Sequence, residues 1–175
     1  MSYPRVAVPA AVSVVFLCVI STGVWAQSAH SEQVQIKPPL LRIIDPPSPD
    51  ATPADLEVKA DELRAEKLYL DAMDYYRAAL NKSSHSAGLL NKIGITDLMM
   101  QRNREAKKAF EQAIKADHKF ASAYNNLGVV YYEDKKYGAA LKQYRRAIAL
   151  DDASASFYSN MGAALFSKKE FEPAV

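Results

Sequence analysis

Cysteine is all but missing: Cys18 stands alone in 175 residues. One thiol closes no disulfide framework and completes no thiolate zinc site. Glycine is scarce at 6 residues, too few for a system of phosphate-cradling loops. Neither sign of charge dominates, because 22 basic side chains face 20 acidic ones for a net +2, a balance that disfavours an obligate nucleic-acid binder. The histidines are His30, His85 and His118, and no His-Glu-x-x-His helix, Gly-x-Ser-x-Gly elbow or phosphate loop accompanies them. No enzyme, cofactor or metal is expected. What is abundant is apolar surface, 49% of residues against 24% charged, the composition of a chain that folds around a core.

The first stretch has the shape of an export leader. Arg5 is followed by an almost wholly apolar run, Val6 to Ile20, and then by Val24-Trp25-Ala26 ahead of Gln27. A cut after Ala26 removes 1–26 as a signal peptide. Val6 to Ala26 is also 21 residues without a charge, close to the roughly 20 that cross a bilayer, so a retained signal anchor fits as well. Either way Arg5 puts the following chain outside the cytoplasm, in the periplasm or secreted, with any membrane contact confined to this segment. Cys18 follows bulky Val15-Phe16-Leu17 and is no candidate for lipidation.

Residues 27–52 are a different material. Six of the nine prolines fall between Pro38 and Pro53, and no amphipathic period supports a helix, so 27–52 is expected to be a Pro-rich extended linker. Inside it Leu40-Leu41-Arg42-Ile43-Ile44 lies fenced by proline pairs, either a solvated spacer or a short recognition strip able to plug a groove further along the chain.

From Pro53 onward the chain repeats itself every 34 residues, with copies beginning at Pro53, Ala87, Ala121 and Ala155. Gly94, Gly128 and Gly162 recur with Ala60 where helices must approach closely. Ala72, Ala106, Ala140 and Ala174 supply the opposing small surface, and Tyr76, Phe110 and Tyr144 fill the space beside it. Within a copy, Tyr124, Leu127, Gly128 and Tyr131 make one helical stripe and Ala140, Tyr144 and Ala147 another, so each copy is two antiparallel helices. Turns are expected at Gln101-Arg102-Asn103, Glu133-Asp134-Lys135-Lys136 and Ser167-Lys168-Lys169, with Asp117 and Asp151 helping to cap the next first helix.

This aromatic, Leu-Gly, Tyr, Ala, aromatic, Ala pattern resembles the tetratricopeptide repeat (TPR) across 53–175, divided as 53–86, 87–120, 121–154 and an incomplete 155–175. The resemblance implies an all-α fold, a right-handed superhelical solenoid of antiparallel helix pairs. Ser84, His118 and Asp152 replace the helix-stopping proline common in the family, which leaves the junction geometry open. Because repeats bury their apolar faces on one another, Leu165 and Phe166 are expected to lose cover, either because the record is truncated or because a partner finishes the array.

The resemblance also implies a concave wall lined by first helices. Its candidate binding residues are Asn91, Lys92, Ile95 and Leu98, with Met99; Asn125, Asn126, Val129 and Tyr132, with Glu133; and Ser159, Asn160, Ala163 and Phe166, with Ser167. Ile95, Val129 and Ala163 form one apolar rail, Leu98, Tyr132 and Phe166 a second, and amides line the near side. An asparagine offers both donor and acceptor and so can hold a peptide backbone, or else is satisfied within the protein itself. Relatives that grip acidic chaperone tails use a clamp of basic residues and asparagines there, whereas this first copy offers Glu57 and Asp61. The expectation is a non-catalytic, exported scaffold that binds a neutral, partly apolar peptide or protein and no nucleic acid. Alternatives are the TPR region of a larger envelope protein or enzyme, or a membrane-tethered assembly factor. A basic stripe on second helices, Lys107, Lys108 and Lys115 with Lys142, Arg145 and Arg146, is diluted by neighbouring acids and reads as a solvated face.

Overall fold

The computed structural model describes residues 44–83 and 86–171, so the expected signal segment 1–26, most of the expected linker 27–52, residues 84–85 and residues 172–175 lie outside the described residues. Among the described residues every regular element is a helix, in the order α1 (Pro53–Ala65), α2 (Tyr69–Lys82), α3 (Ala87–Met99), α4 (Asn103–Ala116), α5 (Ala121–Glu133), α6 (Tyr137–Leu150) and α7 (Ala155–Phe171). Consecutive helices pack as antiparallel hairpins, and the first helices α3, α5 and α7 also touch their neighbours in the row, which makes an all-α TPR superhelix.

Local chemistry explains where the helices begin and turn. Thr52 caps α1 by accepting from the Asp55 N–H at 3.2 Å, with Pro53 at the first position, and Ser86 caps α3 through the Leu89 N–H at 3.3 Å. Each hairpin turns through a left-handed residue, Lys67, Gln101 or Lys135, at φ of 64°, 61° and 60°. The next N–H then closes back on the helix: Leu68 on the Leu63 carbonyl, Arg102 on Asp97 and Lys136 on Tyr131, at 2.8–2.9 Å. These turns sit 34 residues apart, so the next position in the series is Lys169. There the expected turn at Ser167-Lys168-Lys169 does not form. Helix α7 runs through it to Phe171, since its i→i−4 bonds are local and no described second helix draws the chain back.

Asp117 and Asp151 do not cap the following helices. Each ends its own helix and folds back locally, Asp117 Oδ1 accepting from Lys119 N at 2.8 Å and Asp151 Oδ1 from Ala153 N at 3.1 Å. A side chain satisfied two residues on in an Asx turn is too far from the next helix start to serve it, and Phe120 precedes α5 without a side-chain cap.

The core repeats with the sequence. Phe110 and Tyr144 are fully buried and press close against Gly94 and Gly128: a Cβ on either glycine would stand 2.5 Å from a ring carbon. Ala60, Ala72, Ala106, Ala113, Ala140 and Ala147 are likewise buried on the hairpin seams. Burial raises the Tyr144 phenol to about 12, so it stays neutral in the core.

The described part of the Pro-rich stretch is not a free spacer. Residues 44–51 lie along α2: the Ile44 N–H donates to Asp71 Oδ1 at 3.2 Å, the Tyr75 hydroxyl donates to the Asp45 carbonyl at 3.2 Å, and Lys82 Nζ reaches the Pro49 and Ala51 carbonyls. Ile44, the described end of the apolar strip, therefore sits against a second helix and not on the first-helix wall. Leu40 to Ile43 lie outside the described residues.

One core position breaks the pattern. Asp97 stands where the other copies have Leu63, Tyr131 and Leu165, and it is 4% exposed with Oδ1 unbonded. Arg102 comes to 3.9 Å, an ion-pair distance but too long for a hydrogen bond. Burial raises the Asp97 carboxyl above its ordinary 3.8, and the charges of Arg102 and Arg77 do not cancel that. Because the folded value lies above the unfolded one, Asp97 costs nothing at pH below 3.8, where it is protonated in both states, and its penalty sets in as pH rises through that range. Asp97→Asn is expected to raise stability at pH 7 by on the order of 1 kcal/mol and to flatten the loss of stability on the alkaline side of pH 3.8, read by urea titration. A less stable variant at neutral pH would show that the arginines win. Gly128→Ala is expected to lose about 1–3 kcal/mol through the collision with Tyr144. Gly162→Ala, with nothing within 4 Å of its Cβ, is expected to gain about 0.5–1 kcal/mol of helix propensity in the same measurement.

Candidate functional site

The residues not consumed by packing on α1, α3, α5 and α7 share one side of the first-helix row. They are tied to one another at a spacing that differs from the repeat by one residue. Asn126 Nδ2 donates to Asn91 Oδ1 at 2.9 Å and Asn160 Nδ2 to Asn125 Oδ1 at 2.9 Å, each pair 35 residues apart. Lys92 reaches back the same distance to Glu57, at 2.7 Å, and Tyr132 shares a 3.0 Å hydrogen bond with Ser167, again 35 residues away. Asn125 Nδ2 donates to Asn126 Oδ1 at 3.2 Å, which joins the rungs into an unbroken run from α7 through α5 to α3.

This run decides what each asparagine is free to do. Asn91 and Asn125 are buried, 7% exposed each, and act as its floor. Asn126 and Asn160 are half-buried; each uses one Nδ2 hydrogen in the run, which leaves a second for another acceptor. The asparagines are thus satisfied within the protein by each other, an arrangement that single-residue reasoning does not reveal. The pairs Asn91/Asn125 and Asn126/Asn160, each separated by 34, were the available sign of it.

The charged end is closed in the same way. Lys92 is held between Glu57 and Asp61, and Asp61 also accepts from the Tyr76 hydroxyl and from Arg64 at 3.1 Å. Burial opposes the charge on Asp61, but hydrogen bonds from Lys92 and Tyr76 outweigh it and hold the carboxyl below the usual range. Burial likewise opposes the charge on Lys92, and the two carboxylates outweigh it and raise the ammonium. Two acids and two bases neutralise each other, so Lys92, although on the predicted wall, is no open cation.

The apolar rails are uneven. Ile95 and Leu98 are half-buried against Phe110, Leu127 and Val130; Val129 and Tyr132 are half-buried against Leu141, Tyr144 and Ala164. The ring of Tyr132 also leans on Tyr137 at 5.6 Å. Ser159 and Ala163 are exposed, Met99 is 53% exposed and Phe166 69%. The wall is therefore sunken and packed at α3 and α5 and open at α7.

On the second helices the basic stripe is partly spoken for. Lys107 lies 3.8 Å from Glu111 and sits over the Tyr131 ring, and Arg146 covers Tyr124. Among the described residues no group of three or more His, Cys, Asp or Glu side chains could hold a metal ion.

Comparison with known proteins agrees with this architecture. No curated protein matches the chain by sequence. A family model described as tetratricopeptide repeat matches residues 92–172. Among solved structures, the Sgt2 TPR domain from Aspergillus fumigatus is similar with a TM-score of 0.65 at 20% identity, over 71% of this chain and 83% of that one. The first TPR of Spaghetti (RPAP3), solved with the HSP90 peptide SRMEEVD, has a TM-score of 0.63 at 16% identity, over 66% and 92%. The second TPR domain of human RPAP3, in complex with the HSP70 peptide SGPTIEEVD, has 0.59 at 18%, over 65% and 98%. With a tetratricopeptide-repeat model matching residues 92–172 and TPR domains as its structural neighbours, the chain has the fold of a TPR domain.

Proposed function

We propose that this protein is a non-catalytic interaction scaffold that takes an extended, neutral and partly apolar peptide segment of a partner protein along its first-helix wall. The observation that carries this reading is the joined run of asparagines beside apolar rails. Asn126 and Asn160 keep outward amide hydrogens for peptide carbonyls, and Ile95, Val129, Leu98, Tyr132, Ala163 and Phe166 offer apolar contact alongside. Fixing those amides in advance lowers the ordering cost of binding. Structurally similar TPR domains hold peptides, which supports the class of function.

Those neighbours are solved with peptides ending in acidic residues, and the reading departs from them there. A bound carboxylate needs free cations, and Lys92 is already taken by Glu57 and Asp61. Specificity against acidic tails follows from the lack of an open cation, since the basic group on this wall is already neutralised.

The leader supports a location outside the cytoplasm. Residues 1–26 read as a signal peptide or anchor, and the N-terminal residue of the protein recovered from cells, Gln27 or Met1, separates cleavage from tethering.

A peptide array assayed by fluorescence anisotropy tests the groove. Neutral apolar heptapeptides are expected to bind and SRMEEVD to fail. Phe166→Ala, at an exposed site that leaves the core intact, and Asn126→Ala, which cuts the run, are each expected to weaken the selected peptides about tenfold, 1.4 kcal/mol, at unchanged helicity. Preference for acidic peptides, or equal binding by both variants, would refute the assignment.

A further inference from the structure

The basic side chains of the repeats divide by helix. On α1 and α3 they are paired: Lys59 with Glu62, Arg64 with Asp61, and Lys92 with Glu57 and Asp61. On the second helices α4 and α6, Lys108, Lys115, Lys142 and Arg145 are exposed, and none makes an ion pair or hydrogen bond among the described residues. Helix α6 holds Lys142, Arg145 and Arg146 and no acid, and their spacing puts them on one side, away from the buried Ala140, Leu141, Tyr144 and Ala147. In α4, Arg104, Lys107, Lys108 and Lys115 outnumber Glu105 and Glu111, and Glu111 is drawn to Lys107 at 3.8 Å. Lys108 and Lys142 are 34 residues apart, so they hold equivalent places on two helices that both pack against α5. Asp117 and Asp151, which dilute the stripe in sequence, lie past the helix ends and accept from backbone N–H groups of their own turns.

We infer that the outer face of α4 and α6 docks on an anionic lipid surface, with Lys108, Lys115, Lys142 and Arg145 meeting lipid phosphates while the first-helix wall stays clear for peptide. Charge complementarity carries the contact, because open cations lose less on meeting phosphate than cations that must first leave a carboxylate. The choice of a membrane over an acidic protein rests on the reading of 1–26 as a membrane-addressed segment. Residues 44–51 join the repeats along α2, itself a second helix. Residues 27–43 connect them to the apolar run ending at Ala26, a span of roughly 50 Å even as an extended polyproline chain. A bilayer that takes up that run therefore stays within reach of the second helices, and attraction within a Debye length, about 10 Å at 0.1 M salt, completes the approach.

The probes are vesicles of pure phosphatidylcholine and vesicles with added phosphatidylglycerol, given to the full chain labelled with an environment-sensitive dye at Ala149→Cys, an exposed site on α6, in a Cys18→Ser background. A blue shift is expected with phosphatidylglycerol and not with phosphatidylcholine, and it is expected to fade as salt rises. The same dye at Ser159→Cys, exposed on the first-helix row, is expected to stay unshifted. Lys142→Gln with Arg145→Gln is expected to weaken docking at least tenfold at unchanged helicity, since both side chains are exposed. Lys59→Gln with Lys67→Gln, the same change of net charge elsewhere, is expected to alter it less than twofold. Attachment to phosphatidylcholine reads the apolar leader alone, and capture of neutral peptides by the Lys142→Gln, Arg145→Gln chain reads the wall alone, so failure of either is visible apart from failure of this face. No shift with phosphatidylglycerol would overturn the inference, as would equal weakening by the two double variants, which would leave only net charge. Saturable binding of a synthetic glutamate-rich helix at physiological salt without any lipid-dependent shift would assign the face to an acidic protein, and would likewise overturn it.

Discussion

An aromatic ring lying on a glycine that has no room for a methyl group is the contact from which the rest of this architecture follows. Phe110 on Gly94 and Tyr144 on Gly128 bring paired helices closer than any side chain would allow, and buried alanines extend that closeness along each seam. The hairpin is then stiff enough to present its outer surfaces in a fixed relation to the next. Left-handed turns at Lys67, Gln101 and Lys135 are tolerated without glycine because the packed helices on either side over-determine them.

Stacking hairpins at this interval places the sixth residue of one first helix over the fifth of the preceding one. That offset of one residue explains why Lys92 meets Glu57, Asn126 meets Asn91 and Asn160 meets Asn125. The polar rungs do two things at once. They satisfy groups that stacking has pulled from water, and they fix the orientation of the amide donors that remain. At the α1 end the same geometry pairs acids with a base and cancels the field, so the wall reads neutral despite four charged side chains.

The two ends of the described stack are finished differently. Beside α2, residues 44–51 are tied down by Asp71, Tyr75 and Lys82, and prolines there are apt because little backbone freedom remains to be lost and few amide donors need partners. At α7 the helix runs through the position at which its predecessors turn, and the register that elsewhere holds a core leaves Tyr158, Gly162 and Leu165 on the surface.

The sequence by itself determined the all-helical class, the helix pairs and the small-residue and aromatic seams, because those depend on a period that the chain states repeatedly and on contacts internal to a copy. It also placed the wall residues on a common face, since helical spacing settles that. Only the tertiary structure decided what those residues do there. Whether Asn126 faces a ligand alone or leans on Asn91, whether Lys92 is open or locked, whether Asp117 caps a helix or closes its own turn, and whether 167–169 bend or stay helical all depend on distances between copies or on short-range competition. A period of 34 says which residues are equivalent; it takes the offset of stacked helices to say which of them touch.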